Sequence, residues 1–190
     1  MLPLMLKSGV IIRGQSIFGL FMIALGATAV FPYLISTGVY YAPASDAGAL
    51  AAGMLPFWTA LFAFTITGEK PTKIRFLGLI IILLGAILVG SYSILSSSGQ
   101  NTWKGHFLFL AGSGMWSMYT VYFRKSGIDP VTGLVFGLFW GTVVVAPILV
   151  IFGDVSFVKA STFDIFSMII LQGLLIAIVA MLLYNFAIRQ

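Results

Sequence analysis

The sequence predicts an all-α fold: a polytopic membrane helix bundle with six transmembrane helices. Three observations carry that reading. Of the 190 residues, 60% are hydrophobic and only 8% charged, against about 25% charged in an ordinary soluble domain; lipid must be the solvent for most of such a surface. The ten basic and five acidic residues leave six long charge-free gaps, 14–45, 47–68, 76–103, 105–123, 130–153 and 165–188, the shortest of 19 residues. A helix needs roughly 20 apolar residues to cross the hydrocarbon layer. Finally, runs such as RFLGLIIILLGAILVG (75–90) are continuously apolar, without the alternation of a barrel strand.

The first span, 16–41, contains Pro32, which removes a backbone hydrogen bond and frees the carbonyl four residues earlier. In lipid that carbonyl must find a partner or line a cavity, and Tyr33, Ser36 and Thr37 follow directly. The second span, 46–67, opens on Asp46, a charge suited to the positive end of a helix, and carries Pro56 followed by Trp58 and Thr59. A charged turn follows in TITGEKPTKIRFLG (65–78), with Glu69, Lys70, Lys73 and Arg75. Pro71 is expected to stop one helix and Thr72 to cap the next. Glu69 is expected to make an ion pair or hydrogen bond within the turn. In the third span, 75–95, Gly78, Gly85 and Ala86 suggest close helix packing.

The fourth span, 105–124, holds GSGMWSMYT (112–120). Ser113, Trp116 and Thr120 share one helical face, and Ser117 and Tyr119 lie close by. That face offers a stacking surface and hydroxyls to an organic solute; interfacial anchoring is the alternative. His106, near the end of this span, is expected at the membrane interface, with a proton relay as the alternative. The fifth span, 131–152, carries Pro147, and the sixth, 164–188, carries Gln172 and Asn185, which are expected to hydrogen-bond across helices or to contact a substrate. Pro32, Pro56 and Pro147 are candidate helix hinges, with static kinks as the alternative. Asn185 joins Ser113, Trp116, Tyr119, Thr120, Tyr33, Ser36, Thr37 and Trp58 as candidate cavity residues.

When successive connections alternate sides, Lys7, Arg13, Lys70, Lys73, Arg75, Arg124, Lys125 and Arg189 fall on one side and Lys104 and Lys159 on the other. The positive-inside rule makes the first side cytoplasmic, with both ends of the chain there. The net charge of +5 is thus explained by membrane orientation rather than by nucleic acid. With no cysteine and one histidine, neither a disulfide framework, a thiolate metal site nor a multi-histidine cluster is expected, and no cofactor is implied. The start of the chain lacks a basic region and a small-residue cleavage site, so it does not read as a signal peptide. Nor do the spans contain a mid-membrane carboxylate, a carboxylate pair or a nucleophile motif, and the chain is not expected to be an enzyme.

The run YYAPASDAGALAAGMLPFWTALFAFTITGEKPTKIRFLGLIIILLGAILVG (40–90) resembles the EamA branch of the drug/metabolite transporter superfamily. The resembling features are the small residues of APASDAGAL, the helix LPFWTALFAF, the dipeptide in GEK and the Gly-rich helix FLGLIIILLGAILVG. WKGHFLFLAGSGMWSMYTVYFRK (103–125) resembles the first helix of a second copy, and LLYNFAIRQ (182–190) the end of that copy's third helix. The resemblance implies two inverted five-helix repeats, of which residues 1–100 would hold helices three to five and residues 101–190 helices six to eight. The chain would then be an internal fragment, truncated at both ends, with a flexible start at Met1–Ser8.

It further implies an inner-membrane carrier that moves a small organic metabolite, an amino acid or related compound, by alternating access through the lipid bilayer. Coupling would use residues outside this chain, or the carrier would work by exchange or facilitated movement. A homo-oligomer is an open alternative for its assembly. The competing reading is a non-transporting membrane scaffold or an inactive remnant.

Overall fold

The computed structural model describes Ile12 and residues 14–96, 101–152 and 161–189. Six helical rods follow one another: α1 (Ile17–Val39), α2 (Ala44–Thr67), α3 (Lys73–Ser96), α4 (Thr102–Ser126), α5 (Pro130–Phe152) and α6 (Thr162–Arg189). Each starts and ends within a few residues of the span predicted for it, and no strand occurs among the described residues. The start Met1–Ser8 and the charges Asp154 and Lys159 lie outside them.

Five of the rods, all except α4, are long and apolar enough to cross a membrane. The exception follows from position. α4 is the central post: twelve of its residues are buried, among them His106, Ser113, Ser117 and Thr120. A helix surrounded by protein can carry polar and small residues that lipid would reject.

The neighbours of α4 lie close to it. Gly38 of α1 meets Phe109, and a side-chain carbon on Gly105 would overlap Ala42 and come within 2.7 Å of the Gly38 carbonyl. Further along, Gly26 faces Met115 and Tyr119, and Gly19 faces Tyr122, so α1 and α4 run antiparallel. α2 runs parallel to α4, from Asp46 beside His106 to Glu69 beside Arg124. α5 packs along α1 through Gly137 and Gly141, and its Gly133 lies against Phe123 of α4. α6 reaches α4 through Tyr184 and Asn185. The bundle thus has an Asp46 end and a Glu69 end.

The glycines corrected one expectation. Gly78 and Gly85 of α3 have no atom near enough to contact an added side-chain carbon; only Ala86 of that trio is buried. Within this chain the close approaches lie around α4, because that helix is enclosed on several sides. α3 and α6 instead present apolar side chains outwards, including Leu88, Leu95, Ile169 and Leu183.

Local chemistry sets the helix boundaries. Gly68 and Gly127 take left-handed conformations, at φ 76° and 64°, and terminate α2 and α4. The α2 stop therefore precedes Pro71, where the sequence placed it. Thr72 accepts the Arg75 amide at 3.3 Å, as a cap to α3. Asp129 accepts the amides of Val131 and Thr132 at 3.0 and 3.1 Å to start α5. Ser161 and Asp164 form a capping box at the start of α6.

Pro32 and Pro56 each follow a stretch of wide turns with hydrogen bonds five residues back, Met22–Val30 and Gly48–Ala52. A proline ring displaces the carbonyl four residues before it, here Thr28 or Ala52, and the wider turn makes room. Pro147 sits inside a continuous α5.

Candidate functional site

Residue 114 is the midpoint of α4, and around it lie three buried polar atoms without a hydrogen-bond partner among the described residues: Ser113 Oγ, Trp116 Nε1 and Trp58 Nε1. Ser113 is fully buried. The Trp58 ring, on α2, packs 3.9 Å from the position of a side-chain carbon on Gly114. At 3.6 residues per turn Ser113 lies between Trp116 and Gly114 on the helix surface, so the three atoms ring α4 at about one level as a belt, with Trp116 and Trp58 on nearly opposite sides. Each buried unmet polar group costs about 1–3 kcal/mol, and the two indoles can only donate.

Aromatic rings frame the belt. Phe31 and Tyr184 meet Trp116 edge-on, with centroids 4.8 and 5.3 Å away, and Phe62 stacks on Trp58 at 5.7 Å. Phe31 and Tyr184 were not singled out in the sequence; the signal available was their placement beside Pro32 and Asn185.

Other candidates separate into different roles. Tyr119, almost fully buried, donates its hydroxyl to Asn185 Oδ1, and Asn185 Nδ2 donates to the Pro130 carbonyl at 3.3 Å. This bridge joins α4, α5 and α6 and leaves both side chains engaged with protein. Thr120 donates to the Trp116 carbonyl at 2.9 Å and lies 2.6 Å from the Tyr184 hydroxyl. Ser117 donates to the Leu55 carbonyl at 3.2 Å. Tyr33, 69% exposed, and Ser36 face outwards, and Thr37 is half-buried. The structure does not bring Tyr33 and Ser36 to the belt, because α1 buries its Gly26–Gly38 face on α4 and turns these side chains away.

At the Glu69 end, Arg124 Nη2 donates to both Glu69 oxygens at 2.6 Å. Glu69 therefore reaches across to α4 rather than pairing within its turn. Lys125 Nζ lies 3.4 Å from the Ile66 carbonyl, and Arg189 lies 3.6 Å from Asp129. Lys70, Lys73 and Arg75 are exposed.

The opposite end holds residues whose burial the sequence reading missed. His106 is enclosed by protein: it is 6% exposed, beside Asp46 at 7% and Ser93 at 9%. Asp46 Oδ2 accepts the Ser93 hydroxyl at 2.5 Å and lies 2.8 Å from His106 Nε2. The pairs are 47 and 60 residues apart in sequence, and each residue alone resembles one at a membrane rim. The available signal was that the lone histidine and Asp46 both sit about one turn inside spans, on the same side of the membrane.

Among the clefts beside α2, two exceed 400 Å³. The larger, ≈ 490 Å³, is lined by Phe57, Leu61, Phe64, Phe76 and other apolar groups, with Lys70 at its edge. Hydrocarbon walls of this kind suit lipid chains. The other, ≈ 410 Å³, lies between α2, α3 and α4 and includes both Trp58 and His106. Among the described residues no group of three or more His, Asp or Glu side chains is placed to hold a metal.

The fold defines a multi-pass membrane helix bundle with a polar belt at its centre. Its residues 1–91 match the model of the EamA-like transporter family, so this part of the chain is similar to membrane transporters of that family. Comparison with curated proteins and with solved structures finds no match.

Proposed function

We propose that the protein is a carrier for a small organic solute bearing a hydrogen-bond acceptor, such as the carboxylate of an amino acid or related compound, and that it works by alternating access. The observation that carries this reading is the belt of Ser113, Trp116 and Trp58, whose polar atoms are buried without partners at the middle of α4. A carboxylate or carbonyl at this level would accept from an indole N–H or the serine hydroxyl. Aromatic rings would hold the apolar part of the solute. Carrier sites near the bilayer midplane, between two repeats, fit alternating access.

In this reading residues 1–100 and 101–190 belong to successive inverted repeats. Pro32 and Pro56, set beside wide turns, act as hinges. The Glu69 end faces the cytoplasm across an inner membrane, in keeping with the bias of basic residues.

The test is flux in liposomes containing the folded protein and a panel of labelled amino acids and related acids. Trp116→Phe keeps a ring and removes the donor, so uptake of a transported compound below saturation should fall about tenfold, the loss of roughly 1.4 kcal/mol of binding. An unchanged rate removes Trp116 from the site. Folded protein that moves no compound of the panel favours the scaffold reading instead.

A further inference from the structure

Asp46, Ser93 and His106 are unused by the belt, yet they are among the few buried polar side chains of the molecule. They come from three helices. Asp46 lies in the first turn of α2, Ser93 in the last turn of α3 and His106 one turn into α4. Glu69, Asp129 and Asp164 are all exposed, so Asp46 is the buried carboxylate among the described residues. A neutral imidazole donating Nε2–H to Asp46 leaves one net negative charge in the enclosed end of the bundle. A second proton, on Nδ1, makes an imidazolium that neutralises the carboxylate. The cluster can thus alternate between net charges of −1 and 0 without losing the Nε2 contact.

His106 lines the ≈ 410 Å³ cleft, as does Gly90 of α3. A side-chain carbon on Gly90 would stand 3.7 Å from Nδ1, so this nitrogen is turned towards the glycine and not towards Asp46. The ionisable groups around the cluster are few. α2 supplies Asp46, and the outer half of α3 supplies only Tyr92, which is exposed. On α4 itself the Lys104 ammonium lies 5.9 Å from the ring centres of Tyr41, at the end of α1, and of Trp103. Trp58 lines the same cleft, which places the cluster and this one member of the belt along one space.

We propose that Asp46, Ser93 and His106 form a proton-binding site in which His106 Nδ1 takes up one proton through the cleft between α2, α3 and α4, and that this proton is the coupling ion of the carrier. The coupling half rests on the carrier reading; proton binding does not. The step is a transfer of H⁺ from a hydronium ion to the Nδ1 lone pair. It releases water, forms one N–H bond and leaves Nε2–H on Asp46.

His106 is the one histidine of the chain, so nitrogen NMR of histidine-labelled full-length protein in phosphatidylcholine nanodiscs reports this site alone. As the pH is lowered the Nδ1 resonance should move from the unprotonated to the protonated position while Nε2 stays protonated. In Asp46→Asn this change should need a more acid solution, because the carboxylate that favours the imidazolium is gone. An imidazole that keeps one protonation state as the pH is lowered, or a midpoint unmoved by Asp46→Asn, overturns the site. If Asp46→Asn fails to fold, the wild-type spectrum decides: an Nε2 proton bonded to a carboxylate resonates far downfield, and its absence overturns the proposal. None of these readouts needs transport, so they stand or fall apart from the carrier reading. Coupling is then read with the labelled acid panel in liposomes, where an imposed pH gradient should drive accumulation of a transported compound. Transport that ignores the gradient overturns the coupling half alone.

Discussion

The two ends of the bundle each join α2 to α4 through a carboxylate and a nitrogen base, and they are built on opposite principles. At one end Glu69 and Arg124 pair at 2.6 Å with side chains 51% and 38% exposed. At the other, Asp46 and His106 pair at 2.8 Å with side chains 10% and 7% exposed. Geometry alone would rank the guanidinium pair higher, since it is shorter and reaches both oxygens. Surroundings reverse the order. An exposed pair trades contact with water for contact with its partner and gains about 0.2–1 kcal/mol. An enclosed pair gains little as a pair, but removing one partner leaves the other with neither water nor a counter-charge. One end is a contact that can open at low cost; the other holds its groups in place.

Substitutions can break or sharpen this contrast. The largest effect is expected from His106→Ala, which strips Asp46 of its nitrogen partner and should destabilise the bundle by about 3 kcal/mol, read as a lowered unfolding midpoint in detergent micelles. Next comes Gly105→Leu, at the same end. Its side chain would run into Ala42 and the Gly38 carbonyl, and overpacking of this kind costs about 1–3 kcal/mol. Tyr119→Phe, between the two ends, removes the donor to Asn185 Oδ1 and should cost about 1–2 kcal/mol by the same measurement. Arg124→Gln should cost less than about 1 kcal/mol, and the difference from wild type should shrink as salt is added, because the pair is exposed to screening. The contrast fails if Arg124→Gln proves as damaging as His106→Ala, or if its effect ignores salt. Gly85→Leu should change stability by no more than about 0.5 kcal/mol, since that position opens on empty space.

The spans were legible because charge punctuates them: each gap between ionisable residues became one rod, from the apolar α3 to the more polar α4. GSGMWSMYT was also legible as an enclosed face, and Ser113 and Trp116 within it supply two of the three unpartnered atoms. What the sequence could not show was which polar groups are already occupied. Tyr119 and Asn185 looked available for a solute, but they satisfy each other across 66 residues. Tyr33 and Ser36 follow a proline as a cavity residue would, yet rotation of α1 about its axis decides where they face, and the glycine contacts with α4 set that rotation. The Asp46 cluster escaped for the same reason: its meaning lies in three helix ends converging, and no local pattern records that.

The low hydropathy of α4 also bears on how the protein is made. The segment 162–189 averages 2.6 in hydropathy over its most apolar window, with 6% of that window buried by the rest of the chain, so it partitions into a bilayer on its own merits. Thr102–Ser126 does not reach that class. During synthesis it must be received by helices already in place, with Gly38 and Gly26 of α1 offering the surface against which its serines and histidine can leave water. The central post enters the membrane with the help of its neighbours, and a substitution that spoils the α1 surface should appear first as a failure of α4 to insert rather than as a loosened bundle.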